Sequence, residues 1–141
     1  MAIQVSHGGS ASLDPMQAVA EFAEALGAAP LDAVIFFCSP DYDLDALGRA
    51  LDSTFTCPTV GCTASGQIGP AGFAHQGILG IGFHGGGLRL HPYLISPLVQ
   101  HAAQAVRIAE SVRAHSAEHA GVGRFGLLLV DGLSMLEERL V

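Results

Sequence analysis

The 141-residue sequence contains no lysine and no tryptophan. Without lysine there is no side-chain amine for Schiff-base chemistry and no P-loop lysine for a nucleotide phosphate. Cations are scarce altogether: six arginines stand against 13 carboxylates, and the formal net charge is -7. So acidic a surface repels phosphate backbones and anionic lipid, which argues against nucleic acid and membrane surfaces as partners. Cysteine is sparse too. Cys38, Cys57 and Cys62 are odd in number, and the five-residue step from Cys57 to Cys62 is not the C-x-x-C spacing of redox or zinc sites. They read as reduced thiols, with Cys38 and Cys62 in or beside apolar runs. No apolar run approaches the length of a membrane span. The N-terminus has neither the charged region nor the apolar region of a signal peptide. A cytoplasmic protein is expected.

What the chain does have is apolar material. Half of its residues are hydrophobic and 13% are charged, enough for the core of one ordinary domain. Residues 1–12 read as a tail or a short first strand. Asp14-Pro15 is a helix start, with Asp14 as N-cap, and Gly27 is its stop. Residues 31–38, LDAVIFFC, are continuously apolar after Asp32 and suit a strand covered on both faces. Leu44, Leu47 and Leu51 mark one face of a short helix. Residues 58–62, 77–83, 88–95 and 124–130 read as further strands, with Gly85-Gly86-Gly87 as a hairpin connection between two of them. Ser96-Pro97 starts the longest helix, whose apolar stripe is Val99, Ala102, Val106, Ala109 and Val112. Ser134-x-x-Glu137 is a capping box that predicts another helix near Met135. The sequence stops too soon to complete it, so a fragment of a longer protein is expected. Helices alternating with apolar strands predict an α/β layered domain, with a mixed, largely buried sheet flanked by helices.

Several catalytic patterns fail on spacing. His84-Gly85-Gly86-Gly87 looks like a lipase oxyanion loop, but Ser65 has Thr63 where a G-x-S-x-G elbow needs glycine. Gly80-x-Gly82-x-x-Gly85 has dinucleotide-binding spacing, but it leads from strand to strand rather than into a helix. His115 and His119 can share a helix face, yet they read better as polar groups at a helix end. Cys62-dependent catalysis is a remaining alternative from the enzyme class, although a Cys62 nucleophile needs a base and an electropositive setting that this acidic chain does not offer. No catalytic residue, metal site or enzymatic activity is assigned.

Ligand binding is the stronger reading. In open α/β sheets small molecules bind outside the carboxyl ends of the strands. Three strand ends carry polar, turn-forming residues: Ser39 to Asp43, Cys62 to Gln67, and Asp131-Gly132. The second group offers hydroxyls, an amide and backbone N–H groups for a carboxylate. The aspartates Asp41, Asp43 and Asp131 can hold an ammonium group, although helix capping also uses aspartate. The candidate binding residues are Ser39, Asp41, Cys62, Thr63, Ser65, Gln67 and Asp131, and one zwitterion such as an amino acid would satisfy them. A scaffold that binds only protein is a further alternative; it would lack a concave pocket and expose an apolar patch.

Three stretches carry a resemblance. VIFFCSPDYD from Val34 to Asp43, VGCTASGQI from Val60 to Ile68, and LLLVDGLS from Leu127 to Ser134 resemble the N-terminal FIST domain. That family has an apolar strand ending in S-P-x-Y-D, a G-C-[ST]-x-x-G-E-I turn and a later strand ending in D-G-L. The likeness is strongest over residues 31–134, following an N-terminal tail and first helix in residues 1–30. It implies a partial N-terminal FIST-like domain over residues 1–141, with a C-terminal part missing. It further implies an intracellular sensory module that binds small ligands, particularly amino acids. Its partners would be signalling proteins such as a histidine kinase, a chemoreceptor or a cyclic-dinucleotide enzyme. Some members resemble haem-based nitric oxide sensors, so non-covalent haem is an implied alternative. Truncation would expose apolar surface and favour a homodimer. One departure stands out. The family turn carries Glu where this chain has Gln67, which removes a charge and keeps an acceptor while adding donors.

Overall fold

The computed structural model describes residues 2–70 and 72–131. They divide into two compact units, Met1–Pro92 and Tyr93–Val141. In the first unit the order is β1 (Gln4–Ser10), α1 (Pro15–Leu26), β2 (Ala33–Cys38), α2 (Leu44–Thr54), β3 (Thr59–Thr63), β4 (Gln67–Gly69), β5 (Gly72–Ala74) and β6 (Ile78–His84). A four-stranded sheet runs β1-β6-β2-β3, and β4 with β5 forms a separate hairpin. β2 and β3 are parallel, while β6 is antiparallel to both β1 and β2. The sheet is therefore mixed, as the alternation of helices and strands predicts.

Local chemistry sets the helix ends. The Asp14 carboxylate accepts the Gln17 N–H at 2.8 Å, Pro15 occupies the first turn, and Gly27 closes α1 at φ +93°. Asp43 caps α2 in the same way, accepting the Ala46 N–H at 2.9 Å. Ala18, Val19, Phe22 and Leu26 of α1 and Leu47, Ala50 and Leu51 of α2 cover Val34, Phe36, Cys38 and Ile78 of the sheet. Leu44, on the expected apolar face of α2, is exposed. Glycines under α1 permit its close approach. A Cβ on Gly80 would stand 2.8 Å from the Phe22 ring, and one on Gly8 would stand 2.8 Å from Ala25 Cβ.

The strands depart from the sequence reading in three places. Within the first unit, the helices cover one face of β2 rather than both. Strand alternation puts Ile35 and Phe37 on the opposite face, where Ile35 is half-buried and Phe37 exposed. Residues 88–95 form no strand. A hairpin partner for β6 has no edge to join, because β1 and β2 already flank β6. Arg124–Val130 forms no strand either, since a strand needs a ladder and no strand is present in the second unit among the described residues.

The second unit consists of irregular chain, a 3-10 turn at Leu98–Gln100 and α3 (His101–Glu118). Ser96 does not cap the helix. Its backbone instead holds the buried Gln104 amide at both ends: Ser96 N–H donates to Oε1 at 3.2 Å, and Nε2 donates to the Ser96 carbonyl at 3.0 Å. The predicted stripe members Val99, Val106 and Val112 are exposed. The Gln104 clip and a Tyr93 hydroxyl bonded to Ser111 at 2.9 Å attach the preceding chain to another face of α3. The helix predicted near Met135 lies outside the described residues.

Candidate functional site

Because β2 and β3 are parallel neighbours, their carboxyl ends open at the same sheet edge. Two backbone bonds gather the loops there. Ala64 N–H donates to the Cys38 carbonyl at 2.8 Å, and Ser39 N–H donates to the Gly77 carbonyl at 2.8 Å. Beside this junction is a cleft of about 540 Å³. Ala11 contributes to its wall from the β1–α1 connection, and Ser39, Pro40 and Asp41 from the loop after β2. Ser65 comes from the loop after β3, and Ala74, His75 and Gln76 from the end of β5 and the chain leading to β6.

Ser39 is 0% exposed. Its Oγ accepts the Asp41 N–H at 3.2 Å and donates to Asp41 Oδ2 at 3.1 Å. The hydroxyl is thus committed to a local turn, and it orients the Asp41 carboxylate. Asp41 itself is exposed, and no cation among the described residues pairs with it. The next residue anchors the loop. The buried Tyr42 phenol donates to the Ser12 carbonyl, which fixes the loop after β2 to the connection that carries Ala11. Burial pushes the Tyr42 pKa up, and neighbouring Cys38 and Glu21 add in the same direction. Ser65, His75 and Gln76 are exposed to the cleft, with the His75 ring set edge-on to Phe73 at 4.6 Å between centroids.

Of the seven residues expected to bind, Ser39, Asp41 and Ser65 line this cleft. Cys62 is in register with Phe37 and shares its face, away from α1 and α2. Thr63 ends β3 and is exposed, but it does not line the cleft. Gln67 is only 6% exposed, and its Nε2 donates to the Gly77 carbonyl at 3.2 Å. Asp131 belongs to the second unit. Sequence reasoning missed Ala11, Ala74, His75 and Gln76. The one available signal was the Gly69-Pro70-Ala71-Gly72 stretch, whose turn-forming residues announce a hairpin returning toward β6.

The thiols are poorly set for attack. Burial raises the pKa of Cys62 above the ordinary thiol value, and burial followed by the proximity of Cys62 does the same to Cys38. Burial also dominates a rise at Cys57. Since thiolate is the reactive form, iodoacetamide should label all three slowly at pH 7 in the folded chain. The rate should climb as pH passes the ordinary thiol range, and unfolding in urea should abolish the protection. Peptide mapping by mass spectrometry checks this; rapid labelling of folded Cys62 at pH 7 would contradict it. Among the described residues no group of three or more His, Cys, Asp or Glu side chains could hold a metal ion. No helix among them is long and apolar enough to cross a membrane.

Residues 32–141 match the family model of the FIST N domain, which takes in both strands at the cleft edge and every cleft residue except Ala11. The chain belongs to the FIST N domain family. FIST domains are sensory modules, so a sensory, signal-transduction role follows for this one. Comparison with curated proteins and with solved structures gives no match. In this FIST N domain, the S-P-x-Y-D motif has a physical division of labour. Ser39 orients Asp41, Tyr42 ties down the loop, and Asp43 caps α2.

Proposed function

We propose that this domain senses a small molecule carrying an ammonium group, with amino acids the leading class, and that it does so in the cleft at the ends of β2 and β3. The observation that carries the reading is Asp41: an exposed carboxylate, oriented by a buried serine, on the wall of a cleft of about 540 Å³. That volume suits a metabolite-sized ligand. Asp41 would accept from the ammonium group, and Ser65 and Gln76 would donate to a carboxylate. Binding would bring the three loops into one preferred arrangement, and a ligand shifts an equilibrium only by such a difference in affinity. The activity is binding without catalysis, which the raised thiol pKa values support. A cytoplasmic setting and an output through a kinase, chemoreceptor or cyclic-dinucleotide enzyme complete the proposal.

Haem suits this cleft poorly. His75 lines the cleft and could offer an axial nitrogen, but a macrocycle with anionic propionates also calls for a broad apolar slot and cations, whereas the apolar wall here is Ala11, Pro40 and Ala74 and the carboxylate on the wall is Asp41.

Calorimetry with a panel of amino acids, their decarboxylated amines and their deaminated acids tests the reading. Compounds with an amine should bind and the deaminated acids should not. Asp41→Asn keeps the acceptor for Ser39 and removes the charge, and it should weaken binding by about 1–3 kcal/mol. Equal affinity in the variant would remove Asp41 from the site, and silence across the panel would defeat the proposal.

A further inference from the structure

We propose that Gln67 is a positioning residue for the cleft, acting through the Gly77 carbonyl. The inference rests on the reading of that cleft as a ligand site. Two donors converge on this one oxygen, Ser39 N–H at 2.8 Å and Gln67 Nε2 at 3.2 Å. The first belongs to the wall that orients Asp41. The second comes from β4, whose partner strand β5 ends at Ala74, directly opposite Gln67 in register. Gly77 is the residue after His75-Gln76, so its carbonyl joins the Asp41 wall, the hairpin and the His75–Gln76 wall at one point. The backbone there has little freedom to move away. Gly77 has φ +98°, and its neighbour across the chain is the Ser10 carbonyl, 2.1 Å from where a Cβ would stand.

In this chain, which has Gln67 where the family turn carries Glu, the side-chain donor at the node is an amide. A buried carbonyl needs donors, and glutamine supplies a neutral one at every pH. A carboxyl group of the same shape donates only when protonated. Burial disfavours its anion as well, so its folded pKa would rise above the unfolded value of about 4.3. The sign follows directly. Below the unfolded pKa the variant Gln67→Glu is protonated in both states and keeps the bond. As pH rises through the raised folded pKa, it loses stability relative to the parent.

The test uses the whole chain as parent, Gln67→Glu and Gln67→Met, measured from pH 4 to pH 8. Thermal midpoints and the amide signals of Ser39, His75 and Gln76 in 1H–15N spectra are followed together. Asp41 and His75 are the titratable groups lining the same cleft, and the parent's own profile subtracts their contribution. At pH 4, Gln67→Glu should match the parent. Toward pH 8 its midpoint should fall and the three cleft signals should shift in step with one transition. Gln67→Met, which fills similar space without a donor, should shift the same signals at every pH. Parent-like cleft signals in Gln67→Met would overturn the proposal. So would a Gln67→Glu variant that stays parent-like at pH 8, or one that fails to fold even at pH 4. These readouts need no ligand, so they stand apart from the binding panel. If no amine binds, the ligand reading fails while the role of Gln67 in shaping the cleft is still decided here.

Discussion

Gly77→Ala should cost the protein about 3 kcal/mol or more and lower its thermal midpoint by roughly 10 °C. Two effects add. At φ +98° an L side chain is strained. The new methyl would also start 2.1 Å from the Ser10 carbonyl oxygen and 3.1 Å from Ala11 Cα, both backbone atoms that cannot swing aside like a side-chain end. Relief requires Gly77 to move, and its carbonyl is the acceptor for Ser39 and Gln67. Stability and cleft geometry should therefore fail together. Urea unfolding gives the first quantity, and hydrogen exchange of the Ser39 amide reports the second. A variant within about 0.5 kcal/mol of the parent, with Ser39 still protected, would mean that the close approach of Gly77 to Ser10 is absent in solution.

Phe22→Ala should be comparably damaging, at about 3–5 kcal/mol. Phe22 is 0% exposed and sits where α1 meets both the sheet and α2. Its ring meets Phe55 edge-on at 5.9 Å, and it lies over Gly80. The glycine makes the loss worse, because no side chain beneath the ring can relax into the space it leaves. Against a typical total of about 5–15 kcal/mol, such a loss decides whether the domain folds at all. Phe22→Leu retains most of the volume and should cost far less. Chemical denaturation of both variants separates the effects; an alanine variant that loses less than about 1 kcal/mol would contradict this packing.

Features written in local chemistry were legible in the sequence. Asp14-Pro15 and Gly27 mark α1 because capping involves only neighbouring residues. The strands of residues 31–38 and 58–62 are visible because their apolar runs end in turn-forming residues. The same logic finds Ser39, Asp41 and Ser65, which follow those runs directly. What could not be read was who pairs with whom. β1 is Gln-Val-Ser-His-Gly-Gly-Ser, a weak strand by composition, yet it takes the edge of β6 that residues 88–95 would have needed. Residues 124–130 look like a strand and lack a ladder partner in their unit. Two of the site assignments turn on direction and burial, which the strand-end rule does not specify. Cys62 points to the far face because alternation along β3 sends it there, and Gln67 turns inward to Gly77. His75 and Gln76 reach the cleft only through the hairpin, a non-local return of the chain.

That alternation also bears on how the molecule meets oxidants. Cys38 and Cys62 sit on adjacent strands, one residue out of register, which in a flat projection looks like an invitation to cross-link. The pleat sends their sulfurs to opposite sides of the sheet. The backbone layer lies between them, so a disulfide joining β2 to β3 would require the local ladder to distort. Oxidative damage at either position would then stay a single-residue lesion, with the strand ends still held together by the Ala64 N–H bond to the Cys38 carbonyl.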